Sequence, residues 1–266
     1  MDLFEVEVEP YIRLKNVGKT YSSPLGQVRA LDAIDLDIRL GEFLSVVGPS
    51  GCGKSTLLKC VAGIESISNG EIQVKGQRLT GPPENLGVVF QRDILLDWRT
   101  ILRNVLITAE FRGWDLSQYR PHALELLQRL GLGGFEFRHP WELSGGMRQR
   151  AAICRALLCD PDLLLMDEPF GALDAMTRDD LNVELTRIWQ ETRKTILFIT
   201  HSISEAVYLS DRVAMMGTNP GRIVEVVEIN LPRPRRLVVR DSGEFTEYTA
   251  RIRDLFTQFG ILKEDL

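Results

Sequence analysis

No stretch of this sequence approaches the ~20 consecutive apolar residues that a membrane-spanning helix needs, so none is expected. Cysteine is scarce: Cys52, Cys60, Cys154 and Cys159 are the whole supply, and no two form a C-x-x-C pair. Such a set fits free thiols in a reducing cytoplasm, most of them core filler. Excess positive charge is missing too. The formal net charge is −5, which argues against nucleic acid as the main partner. The opening residues, Met1-Asp2-Leu3-Phe4-Glu5, lack the basic start and apolar run of a signal peptide. There is no internal repeat and no low-complexity segment. What remains is a soluble globular composition of 266 residues, 44% hydrophobic, enough for one large domain or a domain with a subdomain.

The most informative stretch present is Gly48-Pro49-Ser50-Gly51-Cys52-Gly53-Lys54-Ser55-Thr56, which matches the phosphate-binding loop G-x-x-x-x-G-K-[ST]. Its setting fits. The apolar run Phe43 to Val47 reads as a buried strand, and a helical pattern runs from about Lys54 to Val61. Gly48, Gly51 and Gly53 allow the backbone to curl into an anion nest, and the helix that follows points its positive dipole end at the phosphates. Lys54 would reach the β- and γ-phosphates, and the Ser55 hydroxyl would sit on Mg²⁺. Cys52 lies in this nest near a helix N-terminus, a place that lowers a thiol pKa, so a reactive thiol is expected there. The alternative is a plain glycine turn between strand and helix.

Around this loop the pattern is mixed. Residues 11 to 17 and 31 to 38 alternate as half-buried strands, with Tyr21-Ser22-Ser23-Pro24-Leu25-Gly26 read as a turn-rich loop between them. Glu71 to Lys75 and Leu86 to Phe90 are further strand candidates. From 100 to 131 apolar residues recur at helical spacing, closed by Gly131, and no strand signal falls between about Gln91 and Pro161. Leu163 to Met166 and Thr195 to Thr200 are buried runs, and Asp211 to Gly217 and Arg222 to Ile229 read as strands. The expected class is α/β: a P-loop core with a mainly parallel sheet, an N-terminal antiparallel β-subdomain and an inserted helical subdomain. Residues 244 to 259 give an amphipathic helix whose aromatic stripe reads as packing, with a membrane or partner face as the alternative.

Three sites of chemistry follow the loop in sequence. The run Leu163 to Met166 ends in Asp167-Glu168, where a Mg²⁺-supporting Asp and a base for water are expected downstream of a phosphate loop. His201 ends another buried strand, where ligand sites of α/β folds sit. Leu143-Ser144-Gly145-Gly146-Met147-Arg148-Gln149-Arg150 precedes a helix expected over Ala151 to Leu158, with Ser144 as a plausible N-cap.

Taken together these motifs resemble the ATPase subunit of ABC transporters, from about Tyr11 to Pro234. The resemblance implies an ATPase domain over 11–234, with the helical subdomain at about 92–160 and a C-terminal extension over 235–266. It implies that Tyr21 stacks on adenine and that residues 48 to 56 hold the phosphates. Gln91 would contact Mg²⁺ and the attacking water, with Asp167 and Ser55 as the other metal-site groups. Glu168 would be the general base and His201 the γ-phosphate sensor. Ser144, Gly145 and Gly146 match the signature that caps the γ-phosphate of an opposite subunit. Phe170-Gly171-Ala172-Leu173-Asp174 matches the loop that communicates across the dimer. Met147 stands where many members have Gln, and Gly171 where Ser is common.

Finer features narrow the branch. Leu95-Leu96-Asp97-Trp98-Arg99-Thr100-Ile101 resembles a Leu-Leu-Pro-Trp segment of nitrate, sulfonate and taurine importers, with Asp97 for the Pro; Asn219-Pro220-Gly221-Arg222 and Leu231-Pro232-Arg233-Pro234-Arg235 are similar to that branch too. Leu95, Leu96 and Trp98 read as an apolar cluster for docking a membrane subunit. The resemblance implies an ATP-driven importer subunit peripheral to the cytoplasmic face of the inner membrane. Its partners would be a second ATPase subunit, integral-membrane permease subunits and, indirectly, a solute-binding protein, with no nucleic acid. An exporter ATPase, a soluble ATPase acting on nucleic acid or ribosomes, and a P-loop kinase are the competing readings.

Overall fold

The computed structural model describes residues 9–24, 26–171, 173–218 and 220–261. The Met1–Glu5 start, Leu25, Ala172, Asn219 and the last five residues of the C-terminal extension lie outside the described residues.

Two sheets organise the chain. The smaller is antiparallel, in the order β2 (Gly26–Ile38), β1 (Ile12–Ser23), β4 (Asn69–Val74), β5 (Gln77–Arg78). The larger has six strands: β10 (Arg222–Glu228), β9 (Arg212–Gly217), β3 (Phe43–Val47), β8 (Thr195–Thr200), β7 (Leu163–Asp167) and β6 (Leu86–Val89). All neighbours in it pair in parallel except the edge pair β9–β10. The continuous apolar runs of β3, β7 and β8 follow from this position, because a parallel sheet is covered on both faces.

Side-chain alternation divides the strands between two cores. Leu44, Val46, Leu163, Leu165, Leu197 and Ile199 face the core shared with the antiparallel sheet and α1 (Lys54–Val61). Phe43, Val47, Leu164, Met166, Ile196 and Phe198 face the core shared with the other helices. Between β6 and β7 the chain is helical: α2 (Ile101–Val105), α3 (Ile107–Phe111), α4 (Leu116–Arg129) and α5 (Gly145–Leu157). Among the described residues three α-helices follow β7: α6 (Ala175–Thr192), α7 (Ile203–Leu209) and α8 (Gly243–Gln258), with a 3-10 turn at Leu237–Asp241 before the last. Phe245, Ile252 and Phe256 of α8 are buried in the helix-side core with Tyr248 and Leu255 packed against it, so the stripe packs except at its end, where Phe259 is exposed.

Two expectations change. Tyr21 to Ser23 are strand, not loop, because Tyr21 pairs with Val28 and Ser22 with Gln27; cross-strand pairing overrides turn-prone composition. The helix expected from Ala151 begins at Gly145. Ser144 caps it by accepting the Met147 N–H at 3.3 Å, which offsets the poor helix propensity of two glycines.

Arg235 fastens the chain after β10 to the core. Its guanidinium is 4% exposed and donates to the carbonyls of Val207, Tyr208, Ser210, Ile229 and Leu231 at 2.7–3.3 Å. Burial and the neighbouring Arg233 pull its pKa down to about 10, so it stays charged at neutral pH. Arg235→Met should therefore strand several buried carbonyls and cost about 3 kcal/mol or more. Urea unfolding reads the loss; an unchanged midpoint would remove Arg235 as the fastening.

Candidate functional site

The loop from β3 to α1 has little room for side chains. A Cβ at Gly48 would lie 2.5 Å from the Met216 carbonyl oxygen and 2.9 Å from Cys52 Sγ. Gly53, the N-cap of α1, has φ 103°, which L side chains rarely adopt. Gly221 closes the outside of the loop, since a Cβ there would meet the Cys52 carbonyl oxygen at 2.2 Å.

Lys54 is buried, and its ammonium donates to the carbonyls of Gly48 at 2.8 Å and Pro49 at 2.9 Å. Ser55 Oγ donates to Asp167 Oδ1 at 3.0 Å. Burial raises the Asp167 carboxyl above its ordinary value, while the Ser55 bond works the other way.

Glu168 is the meeting point. It follows β7 with φ 44°, and its backbone N–H donates to the Ile199 carbonyl at 2.9 Å. Its Oε2 accepts from Gln91 Nε2 at 3.3 Å and lies 3.2 Å from His201 Nδ1; its Oε1 is 3.7 Å from Lys54 Nζ. Four separate elements thus bring a lysine, an amide, a carboxylate and an imidazole together. The loop that carries Gln91 is held from α5: Gln149 donates to the Phe90 carbonyl at 3.3 Å, and Arg148 to Asp93 at 2.8 Å.

Beside them lies a cleft of about 360 Å³, whose lining includes Ser50, Gly51, Gly53, Lys54, Ser55, Thr56, Gln91 and Glu168; His201 and Asp167 stand behind that lining, in contact with Glu168 and Ser55. Val28, Arg29, Ala30, Pro220 and Gly221 also line it. Sequence reasoning missed Arg29 and Ala30, and took Pro220-Gly221 only as a mark of branch; nothing local signals that a distant turn and strand wall a phosphate loop. Tyr21 is absent from that lining but sits opposite Val28, on the same face of the hairpin. Its ring has Lys19 Nζ 4.9 Å from the centroid. A larger cleft of about 450 Å³ lies by Tyr11, Lys75 and Asn85, before β6 begins, and holds none of these groups.

Ser144, Gly145 and Gly146 line no part of the phosphate cleft of their own chain. They start α5, where a Cβ at Gly146 would lie 3.2 Å from Leu173 Cδ2. Asp174 caps α6, accepting from the Thr177 N–H at 3.0 Å and its hydroxyl at 2.8 Å; those bonds hold its carboxyl below the ordinary value. At Gly171 a Cβ would stand 3.8 Å from Glu168 Oε2 and 3.9 Å from His201 Cε1, ordinary contact that leaves room for a small side chain.

The apolar cluster read at residues 95 to 98 divides. Leu95 packs against the core, and Leu96 is clamped by Asn104, which accepts its N–H at 2.7 Å and donates to its carbonyl at 3.0 Å. Trp98 stands out at 74% exposed, with Ile94 at 53%. The reactive thiol expected at Cys52 is a correction. The side chain is turned inward, 2% exposed, and burial raises its pKa despite the nearby Lys54.

Residues 31–171 match the family described as ABC transporter. An uncharacterized ABC transporter ATP-binding protein of Methanocaldococcus jannaschii is 46% identical over 92% of this chain and 90% of that protein. An aliphatic sulfonates import ATP-binding protein of Bacillus cereus is 40% identical over 96% of this chain and 99% of its own length. A taurine import ATP-binding protein of Escherichia coli is 47% identical over 80% and 83%, respectively. The fold is similar to a dimeric ATP-binding cassette in a post-hydrolysis state bound to ADP and Pi, with a TM-score of 0.75 at 31% identity, covering 83% of this chain and all of that one.

Because its thiolate fraction is small and its sulfur is enclosed, Cys52 should resist iodoacetamide in the native protein at pH 8 and label readily once unfolded. Peptide mapping of the two samples measures this; equal labelling would restore the exposed, reactive thiol.

Proposed function

Because the chain belongs to the ABC transporter family, as one of its ATP-binding proteins, we propose that it hydrolyses ATP to drive import of a small solute such as nitrate, a sulfonate or taurine. The observation that carries this reading is the convergence of Lys54, Gln91 and His201 on Glu168 beside the phosphate loop. Phosphoryl transfer to water needs positioned charge more than covalent help, and this group supplies it. Glu168 orients and deprotonates the water, with Gln91 steadying it. His201 holds the γ-phosphate. Lys54, moving from its loop carbonyls to the β- and γ-phosphates, offsets their charge. Tyr21, beside Val28 at the cleft, stacks on the adenine.

The metal site fits Mg²⁺. Ser55 and Asp167 bring a hydroxyl and a buried carboxylate within 3.0 Å, and Gln91 lines the same cleft as Ser55. Among the described residues no group of three or more His, Cys, Asp or Glu forms a closed cage. Mg²⁺ favours such a sparse set, completing its shell with phosphate oxygens and water. Once bound there it would neutralise charge on the β- and γ-oxygens.

A single chain leaves the γ-phosphate uncovered, because Ser144, Gly145 and Gly146 lie outside the cleft. They suit the phosphate of a second ATPase subunit: small groups at the start of a 13-residue helix, useful only when presented to an anion from outside. Asp174 and its loop would then lie along the junction. The dimeric assembly of the similar cassette supports this arrangement.

The importer reading rests on the sulfonate and taurine relatives. Among the described residues no helix is long and apolar enough to cross a membrane. By likeness to those import proteins, this reading puts the chain on the cytoplasmic side of the membrane, beside separate permease subunits, with a solute-binding protein acting beyond them. Trp98 is the anchor offered to that permease: a large exposed aromatic on a loop that Asn104 keeps in one conformation, tied through Asp93 and Arg148 to the Gln91 segment.

Glu168→Gln keeps the shape and a hydrogen-bonding oxygen but loses the base. Turnover should fall ~10²-fold or more, and MgATP should then trap a dimer that ADP does not. Adding Ser144→Arg should abolish that dimer. Sedimentation with each nucleotide decides; a variant that binds MgATP tightly yet stays monomeric would defeat the shared site. Trp98→Asp should leave hydrolysis by the isolated subunit intact while weakening co-purification with the permease. Unaltered assembly and transport would exclude this anchor.

A further inference from the structure

The loop after Glu168 and the strand end that carries His201 are joined by a continuous set of polar contacts away from the cleft. Arg178, on the first turn of α6, donates through Nη2 to the Leu173 carbonyl at 2.9 Å. Its Nε faces Glu205 Oε1 at 3.5 Å, an ion pair rather than an aligned hydrogen bond. Glu205 Oε2 accepts from Thr200 Oγ1 at 2.6 Å, and that hydroxyl oxygen accepts the Ser202 N–H at 3.0 Å. Ser202 Oγ in turn accepts the Glu205 N–H at 3.3 Å. Both chain neighbours of His201 are therefore fixed by Glu205, directly or through one bond.

Glu205 is 6% exposed, and burial raises its carboxyl. A buried carboxylate is costly unless paired and hydrogen-bonded, and Arg178 and Thr200 answer both needs. Neither Arg178 nor Glu205 lines the phosphate cleft. Packing α7 against β8 alone asks only for an apolar side chain at Glu205. What an ionised pair adds is a connection with direction: Arg178 cannot follow a shift of the Leu173 carbonyl without changing its distance to Glu205.

We propose that Arg178 and Glu205 are positioning residues, a relay that transmits the position of Leu173 and Asp174 to His201 and so makes hydrolysis depend on how a second subunit engages those two residues. The proposal rests on the reading of His201 and of the subunit junction given above. When a partner seats Leu173 and Asp174, Arg178 would be held against Glu205, which fixes Thr200 and Ser202 and aims the imidazole. With the loop displaced, the same contacts would let His201 drift from Glu168. The coupling is one discrete pair rather than a long pathway, so a double-mutant cycle can measure it.

The test compares purified chains carrying Glu205→Gln, Arg178→Gln, both together, Arg178→Lys, Asp179→Asn and His201→Ala. Steady-state ATP hydrolysis gives kcat and KM, and thermal unfolding gives Tm. Each relay variant should lower kcat about 10-fold, the order expected when a group at the reaction centre is misplaced by less than about 1 Å, with KM near wild type. The double variant should fall no further than either single one, because one link is broken once. Arg178→Lys should fall as well, since an ammonium lacks the fork that reaches Leu173 and Glu205 together. It keeps its charge on a partly exposed side chain, so it carries the test if Glu205→Gln does not fold. Asp179→Asn, beside the relay but outside it, should match wild type. Falls in kcat that multiply in the double variant and follow Tm would make the pair merely structural and overturn the relay. Wild-type kcat in Glu205→Gln and Arg178→Lys, with His201→Ala inactive, would also overturn it while leaving the His201 assignment standing. Full turnover in His201→Ala would remove that assignment and the relay with it.

Discussion

Four parallel strands end almost on one line, and the site depends on that register. Val47 pairs with Thr200, Asp167 with Ile199, and Val89 with Met166. The phosphate loop, His201, Glu168 and Gln91 are the residues that leave the sheet at those four ends. A one-residue slip of any strand would exchange its two faces and send its apolar residues into the wrong core. The same packing that buries Leu164 against the helices and Leu165 against the antiparallel sheet thus sets where the carboxylates emerge.

That edge concentrates charge in a partly buried place, and the surroundings make it tolerable. Lys54 sits among loop carbonyls and close to Glu168, so neither charge is isolated. Asp167 is buried against the Ser55 hydroxyl. Glu168 spreads its contacts over three side chains at 3.2–3.7 Å, loose enough to be exchanged for water and phosphate. By contrast, Arg235 is saturated by carbonyls and reads as a fixed fastening. Arg178 lies between these cases, with one strong bond and one long ion pair.

Much of the fold was legible because its determinants are local. The phosphate-loop strand and helix fall on Phe43–Val47 and Lys54–Val61, as the apolar run, the glycines and the helical spacing require. The buried runs at 163–167 and 195–200 are central strands, and the C-terminal stripe is a packed helix. Errors arose where a specific contact outweighs residue composition. Tyr21 to Ser23 have turn-like composition but gain a cross-strand partner in β2. Gly145 and Gly146 are poor helix formers but follow a serine cap. At Cys52 the motif named the position of the backbone and not the direction of the side chain; only the approach of Met216 and Gly221 to the loop shows that its thiol turns inward.

The sequence by itself determined the chemistry on offer: a glycine loop with a lysine and a serine, an acid pair, a histidine and a Ser-Gly-Gly helix start, each set by neighbours within a few residues. The tertiary structure decided which of these meet. Gln91 and Glu168 are 77 residues apart, Ser55 and Asp167 112, yet they lie within hydrogen-bond reach. It also decided what walls the cleft, through Arg29 and Gly221, and that Ser144, Gly145 and Gly146 stay outside it. The physical reason is the same in each case. Local patterns fix backbone conformation, but contact across a sheet depends on strand order and register, which come from burying both faces of the sheet at once.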